Sequence, residues 1–134
     1  MRVIRITTDN EVSICHKEDG NYTRDELAAL IGDGCEYAES VMPRRLYNDL
    51  HIPKIDAVMM VDEDGRIKGK PMNIIGSWLY ETDKHDTPIV GNILIVGFMR
   101  DSENDVCDLK EEQLNFLYEY FKNCALEIKR RKNR

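Results

Sequence analysis

Arg66, Lys68 and Lys70 stand at alternate positions in Gly65-Arg66-Ile67-Lys68-Gly69-Lys70-Pro71. Side chains on a β-strand point to opposite faces in turn, so this spacing would set three cations on one face. Convergent cationic donors are what a phosphate group needs. The stretch lacks the G-x-x-x-x-G-K-[ST] pattern of a P-loop, so capture would rest on side chains rather than on a backbone cradle. A solvated edge strand whose lysines discourage edge-to-edge pairing is the competing reading. Arg44 and Arg45 form a second basic spot after Pro43, and Arg100 is a further candidate at the end of a hydrophobic run. Trp78, Tyr80 and Phe98 offer ring faces, and Asn73 and Asn92 offer amides. Nucleotide recognition requires this set: stacking for the base, amide pairing for its edge and cations for its phosphate. The same aromatics would serve equally well as core.

Catalytic and metal chemistry are less well provided for. Asp62-Glu63-Asp64-Gly65 superficially resembles a calcium loop, but Arg66 and Ile67 fall where an EF-hand needs an oxygen ligand and a glycine. A hairpin turn is expected there, with Arg66 to Lys68 returning as a short strand. His16, His51 and His85 are isolated. His85 lies beside Asp83, Lys84 and Asp86, which could poise a proton, although such runs are usually solvated loops. Cys15, Cys35, Cys107 and Cys124 form no C-x-x-C pair. Reduced thiols are therefore expected rather than a zinc site, with one disulfide as the alternative. Cys107, one residue before an expected helix cap, is the thiol whose thiolate could be stabilised, and a structural role is expected for it too. No nucleophile–base set is visible, so a non-enzymatic protein without metal or cofactor is expected.

The elements that must position these residues follow from periodicity and turn chemistry. Residues 2–7 and 11–15 read as a hairpin around Asp9-Asn10. Thr23-Arg24-Asp25-Glu26 is a capping box, and Gly32 and Gly34 end the short helix it starts. Residues 35–42 read as a strand, 44–50 as one or two helical turns, and 56–61 as a buried strand. Ile74, Ile75, Trp78 and Leu79 fit a helical face, and 82–87 a polar loop. Residues 88–99 should be the central strand, with Gly91 and Gly97 marking a bulge or a close approach to the backbone. Residues 101–107 read as an acidic loop and Asp108 as the cap of a last helix. The apolar stripe of that helix runs through Leu114, Leu117, Phe121, Cys124, Leu126 and Ile128. Lys129 to Lys132 complement its negative end.

The fold class expected is α+β: a mostly antiparallel sheet packed by one or two short helices and a longer C-terminal amphipathic helix. At 134 residues the chain has the size of one domain, 1–134, with 129–134 a basic tail that can fray. The net charge of −6 argues against general nucleic-acid binding. No apolar run approaches the roughly 20 residues of a membrane span. Met1 to Ile6 reads as a strand rather than a signal peptide, so a cytoplasmic place is expected.

Three segments, Met42 to Tyr47, Val61 to Asn73 and Asp86 to Gly97, together resemble domain-of-unknown-function family 3846. The DE-x-G…K-G…P-x-N and I-V-G-x-x-x-[IV]-V-G elements carry the resemblance, over roughly residues 2–117. It implies an accessory protein of phages and mobile elements, which by association often blunts host defence. Capture of a small phosphorylated ligand, such as a cyclic nucleotide signal, by a homo-oligomer is the expected function. The residues expected to line that site are Arg44, Arg45, Arg66, Lys68, Lys70, Asn73, Trp78, Tyr80, Asn92, Phe98 and Arg100. A module that inhibits a host protein by docking, through the acidic loop and the last helix, is the alternative.

Overall fold

A computed structural model describes residues 1–48, 57–99 and 105–133. His51 and Arg100 lie outside the described residues. Strands β1 (Arg2–Ile6) and β2 (Val12–His16) form the expected hairpin, with Ile4 opposite Ile14. Its turn is closed by the Thr7 amide on the Glu11 carbonyl and the Asn10 amide on the Thr7 carbonyl, both 3.0 Å. Asn10 takes φ 64°, a left-handed conformation that asparagine tolerates better than most residues. Helix α1 (Arg24–Ile31) starts with both bonds of the Thr23–Glu26 capping box and ends at Gly32, φ 73°.

Then come β3 (Ala38–Val41), α2 (Arg44–Asn48), β4 (Ala57–Asp62), α3 (Ile74–Tyr80), α4 (Thr82–His85), β5 (Ile93–Met99), β6 (Asp105–Cys107) and α5 (Glu111–Lys132). The strands make one antiparallel sheet in the order β2-β1-β5-β4-β3, with β6 pairing the far end of β5. The fold is α+β. Alternation along β5 fills both faces of the sheet. Ile93 and Ile95 join a core with Leu46, Ile75, Leu79, Leu114, Leu117 and Phe121, from α2, α3 and α5. Leu94 and Val96 join the opposite core with Leu27 and Ile31 of α1. Burying a side chain such as Phe121 contributes roughly 1.5–3 kcal/mol.

Several local expectations change. Arg66 to Lys68 is not a returning strand, because residues 63–69 form a chain of turns. The expected acidic loop ends instead in β6. Residues 82–85 of the expected polar loop form α4, joined to α3 through Glu81 at φ 62°. Asp108 does not cap α5. The position before that helix is Lys110, with no side-chain cap, while the Asp108 carboxylate accepts the Arg2 amide at 2.7 Å. Leu126 is not core but 54% exposed, since at 3.6 residues per turn it falls on the far side of α5 from Phe121, whereas Ile128 still packs against the core. The close approach expected at Gly97 is present: a Cβ there would lie 2.6 Å from the Asp108 carbonyl oxygen.

Candidate functional site

The cationic alternation is held in place by one carboxylate. Asp62 ends β4 with its side chain fully buried. Lys70 Nζ lies 2.6 Å from its Oδ2, Lys68 Nζ 3.0 Å from the same oxygen, and the Asp64 amide donates to Oδ1 at 2.9 Å. Burial alone would push the Asp62 pKa up. Lys70, the Asp64 amide and Lys68 outweigh it and hold the carboxyl below its ordinary value. The same contact with Asp62 raises Lys68. Lys68 Nζ also donates to the Gly34 carbonyl at 2.7 Å, and Lys70 Nζ to that of Gly32 at 3.3 Å. These two lysines therefore fasten the turn segment to the end of α1. They do not line one face of a strand with Arg66.

Arg66 is exposed at a cleft of about 250 Å³ that Tyr80, Glu39 and Glu63 also line. Glu39 and Glu63, with Asp62 also in the lining, outnumber the one guanidinium and make this cleft unfavourable for a phosphate. Burial, and then Glu63 and Asp64, raise the Glu39 pKa there.

The two asparagines bond to the protein itself. Asn73 caps α3, accepting the Gly76 amide at 2.9 Å, and its Nδ2 donates to the carbonyls of Ile6 and Gly91 at 3.1 and 3.0 Å. Asn92 accepts the Thr8 amide at 3.1 Å and donates to the Ile31 carbonyl at 2.9 Å and to Asp33 at 3.3 Å. With donors and acceptor so engaged inside the fold, neither amide reads out a base edge.

The rings also separate. Phe98 packs against the α1 core and Trp78 against the opposite one. Trp78 instead meets Arg45, whose guanidinium carbon lies 5.1 Å from the ring centroid, and stacks on Tyr120 at 6.2 Å. Tyr120 stacks in turn on Phe116 at 6.4 Å. Arg45 is further held by Asp83 at 3.1 Å, and Arg44 is exposed beside it on α2. Of the expected set, Lys68 and Lys70 meet on Asp62, Arg45 meets Trp78, and Arg66 shares a cleft with Tyr80. The single nucleotide pocket expected from the sequence is not assembled.

A larger groove lies elsewhere among the described residues. Beyond Phe121, α5 runs out over the turn of the β1–β2 hairpin. The two leave a groove of about 580 Å³, within the range of small-molecule sites. Lys122, Lys129 and Lys132 line its helix side, with Ala125, Leu126 and Ile128 between them. Asp9, Asn10, Glu11 and Ser13 line the turn side. No ion pair among the described residues involves the three lysines, whereas Arg130 and Arg131 pair with Glu127. Asn10 Oδ1 is buried, with no hydrogen-bond partner among the described residues. The groove lysines recur at intervals of seven and three, a one-face helical spacing. That spacing was legible in the sequence, where the basic end reads only as a complement to the helix dipole.

All four cysteines are free and partly buried. Burial raises the thiol pKa of Cys15, Cys35 and Cys124. Among the described residues no group of His, Cys, Asp and Glu is arranged to hold a metal ion, and no helix is long and apolar enough to cross a membrane.

Neither curated proteins nor solved structures yield a match to this chain. The family described as Domain of unknown function (DUF3846) matches residues 1–123, a span that includes the hairpin and Lys122 and stops short of Lys129 and Lys132. The chain belongs to that family.

Proposed function

We propose that this protein is a non-enzymatic binding protein that captures a small phosphorylated ligand in the groove between the hairpin turn and the outer half of α5. The observation that carries the reading is the lysine stripe, Lys122, Lys129 and Lys132, without an ion-pair partner among the described residues and lining about 580 Å³ of open space, Lys122 lying 5.4 Å from the Tyr118 ring centroid. Apolar groups between those lysines supply contact area for the uncharged part of a ligand. Sequestering a nucleotide-type signal in this way, without turnover, would suit a phage or mobile-element accessory protein that blunts a host defence. Isothermal titration against a panel of adenine-based cyclic nucleotides tests it. The expected result is heat with at least one member, lost in the K122A/K129A/K132A variant, with the ligand recovered unchanged. No heat across the panel would count against capture.

One further observation favours a second reading, a protein-interaction module. Arg45, Trp78, Tyr120 and Phe116 form a continuous ladder at the surface, and Phe116 is 47% exposed. Trp, Tyr and Arg are the residue types that dominate binding hot spots. A second copy of the chain is the simplest occupant of such a face. Light scattering then gives a dimer for the native protein and a monomer for F116K; a native monomer at high concentration removes the self-pairing form of this reading.

A further inference from the structure

The cations on the α5 side of the groove fall into two groups. Lys122, Lys129 and Lys132 share one face of the helix, but a rise of about 1.5 Å per residue sets Lys129 about 10 Å along the axis from Lys122, and Lys132 only about 4.5 Å further on. Long side chains on a helix lean back toward its N-terminus, so the three ammonium groups shift together and keep this spacing. Lys122 shows the lean: its Nζ lies 5.4 Å from the ring centroid of Tyr118, one turn back, which draws it away from the other two. Between the two groups stand Ala125 and Leu126, and Leu126 is 54% exposed.

The hairpin side does not bridge the two groups. It brings one cation, Arg5, whose Nε donates to the Leu30 carbonyl at 2.7 Å, against the carboxylates of Asp9 and Glu11, with the hydroxyls of Thr7 and Ser13 beside them. That side is net acidic, so the attraction for an anion comes from α5 and has two separate centres. A phosphate oxygen meets an ammonium at about 2.7–2.9 Å, so one phosphate group occupies one centre and leaves the other empty. A ligand with an anion at each end and an uncharged body between them engages both centres and covers the exposed apolar surface of Leu126. Resting on the groove reading above, we infer that the ligand is a bisphosphate whose phosphate groups stand about 10 Å apart, one on Lys122 and the other on Lys129 and Lys132.

NMR titration of the full chain at low salt tests the spacing, with fructose 1,6-bisphosphate, fructose 6-phosphate and pyrophosphate as probes. The native protein binds the bisphosphate about fivefold tighter than the monophosphate, the gain of one further exposed ion contact. Pyrophosphate controls for total charge, because its two phosphates are contiguous and reach only one centre. K122A lowers bisphosphate affinity about fivefold and leaves the other two probes within about twofold. K129A/K132A weakens all three. Equal affinity for the two fructose phosphates, an unchanged bisphosphate affinity in K122A, or a K122A loss shared by all three probes overturns the two-ended ligand while leaving phosphate capture in place. Binding of none of the probes overturns the groove reading and this inference together.

Discussion

The protein carries two sets of regularly spaced lysines, and they have opposite fates. In the segment after β4, Lys68 and Lys70 converge on the buried Asp62 carboxylate. On α5, Lys122, Lys129 and Lys132 line a groove with no acidic partner within ion-pair reach among the described residues. Residue type is the same in the two sets. The difference is a carboxylate that the sheet carries to the right depth in one place and not in the other. Cations drawn inward by a buried anion become structure, and cations left at a groove edge remain open to an outside anion.

Removing the buried anion should have the largest effect. D62A leaves Lys70, whose side chain is only 7% exposed, beside Lys68 with no counter-charge. Breaking one partner of a buried pair costs about 3–5 kcal/mol, so urea unfolding should show a loss of that order. Loss of less than about 1 kcal/mol would mean that the segment is held by its backbone turns instead.

Acid acts on the same carboxylate more gently, because a protonated Asp62 keeps its shape and can still bond. Its folded pKa lies below the unfolded value of about 3.9. The group therefore contributes stability that is fully present above about pH 4 and is lost as pH falls through the depressed folded value. Native protein should lose stability in that window more steeply than D62N. Parallel acid curves for the two proteins would assign the acid loss to other carboxyls. Glu26, lowered to about 2 by Lys17 and the Thr23 cap, titrates in the same direction and is common to both.

Within the segment the two lysines should separate. K70M removes the more buried and closer cation, and a loss of about 2 kcal/mol is expected. K68M removes a cation 31% exposed, and the loss should stay below about 1 kcal/mol. Equal losses would show that the two share the Asp62 charge evenly.

Much of this architecture was legible because it is local. The Thr23–Glu26 box, the hairpin around Asn10 and the α3 periodicity each depend on residues a few positions apart. Gly97 was legible as a point of close approach, though not which group approaches. The site was legible only in its parts. Asparagine before a helical run is a capping signal, and Asn73 caps α3 rather than presenting its amide to a ligand. Trp78 and Phe98 part company because β5 has two buried faces, each covered by different helices, and no local pattern says which helix covers which. Leu126 lies exposed because it breaks the period of the stripe: two residues after Cys124 it turns to the far side of the helix, while Ile128 returns to the core face. Where α5 crosses the edge of the sheet is a tertiary fact, and the groove exists only because of it.

The smallest effects separate the two lysine sets through salt. Salt screens solvent-exposed charges from one another beyond a Debye length, about 10 Å at 0.1 M and shorter at higher salt, and acts far less on buried pairs. Raising salt from about 0.05 to about 0.5 M should weaken binding of a cyclic nucleotide in the groove several-fold, since the groove lysines are exposed. It should shift the urea-unfolding free energy by less than about 0.5 kcal/mol, since the Asp62 contacts are shielded. K129A/K132A should lose most of the salt dependence of binding while its stability stays within about 0.5 kcal/mol of the native protein. Salt-independent binding would place the anion against buried donors rather than α5. A stability loss in K129A/K132A comparable to that of K70M would mean that the outer lysines hold the fold as the inner ones do, and the contrast between the two sets would fail.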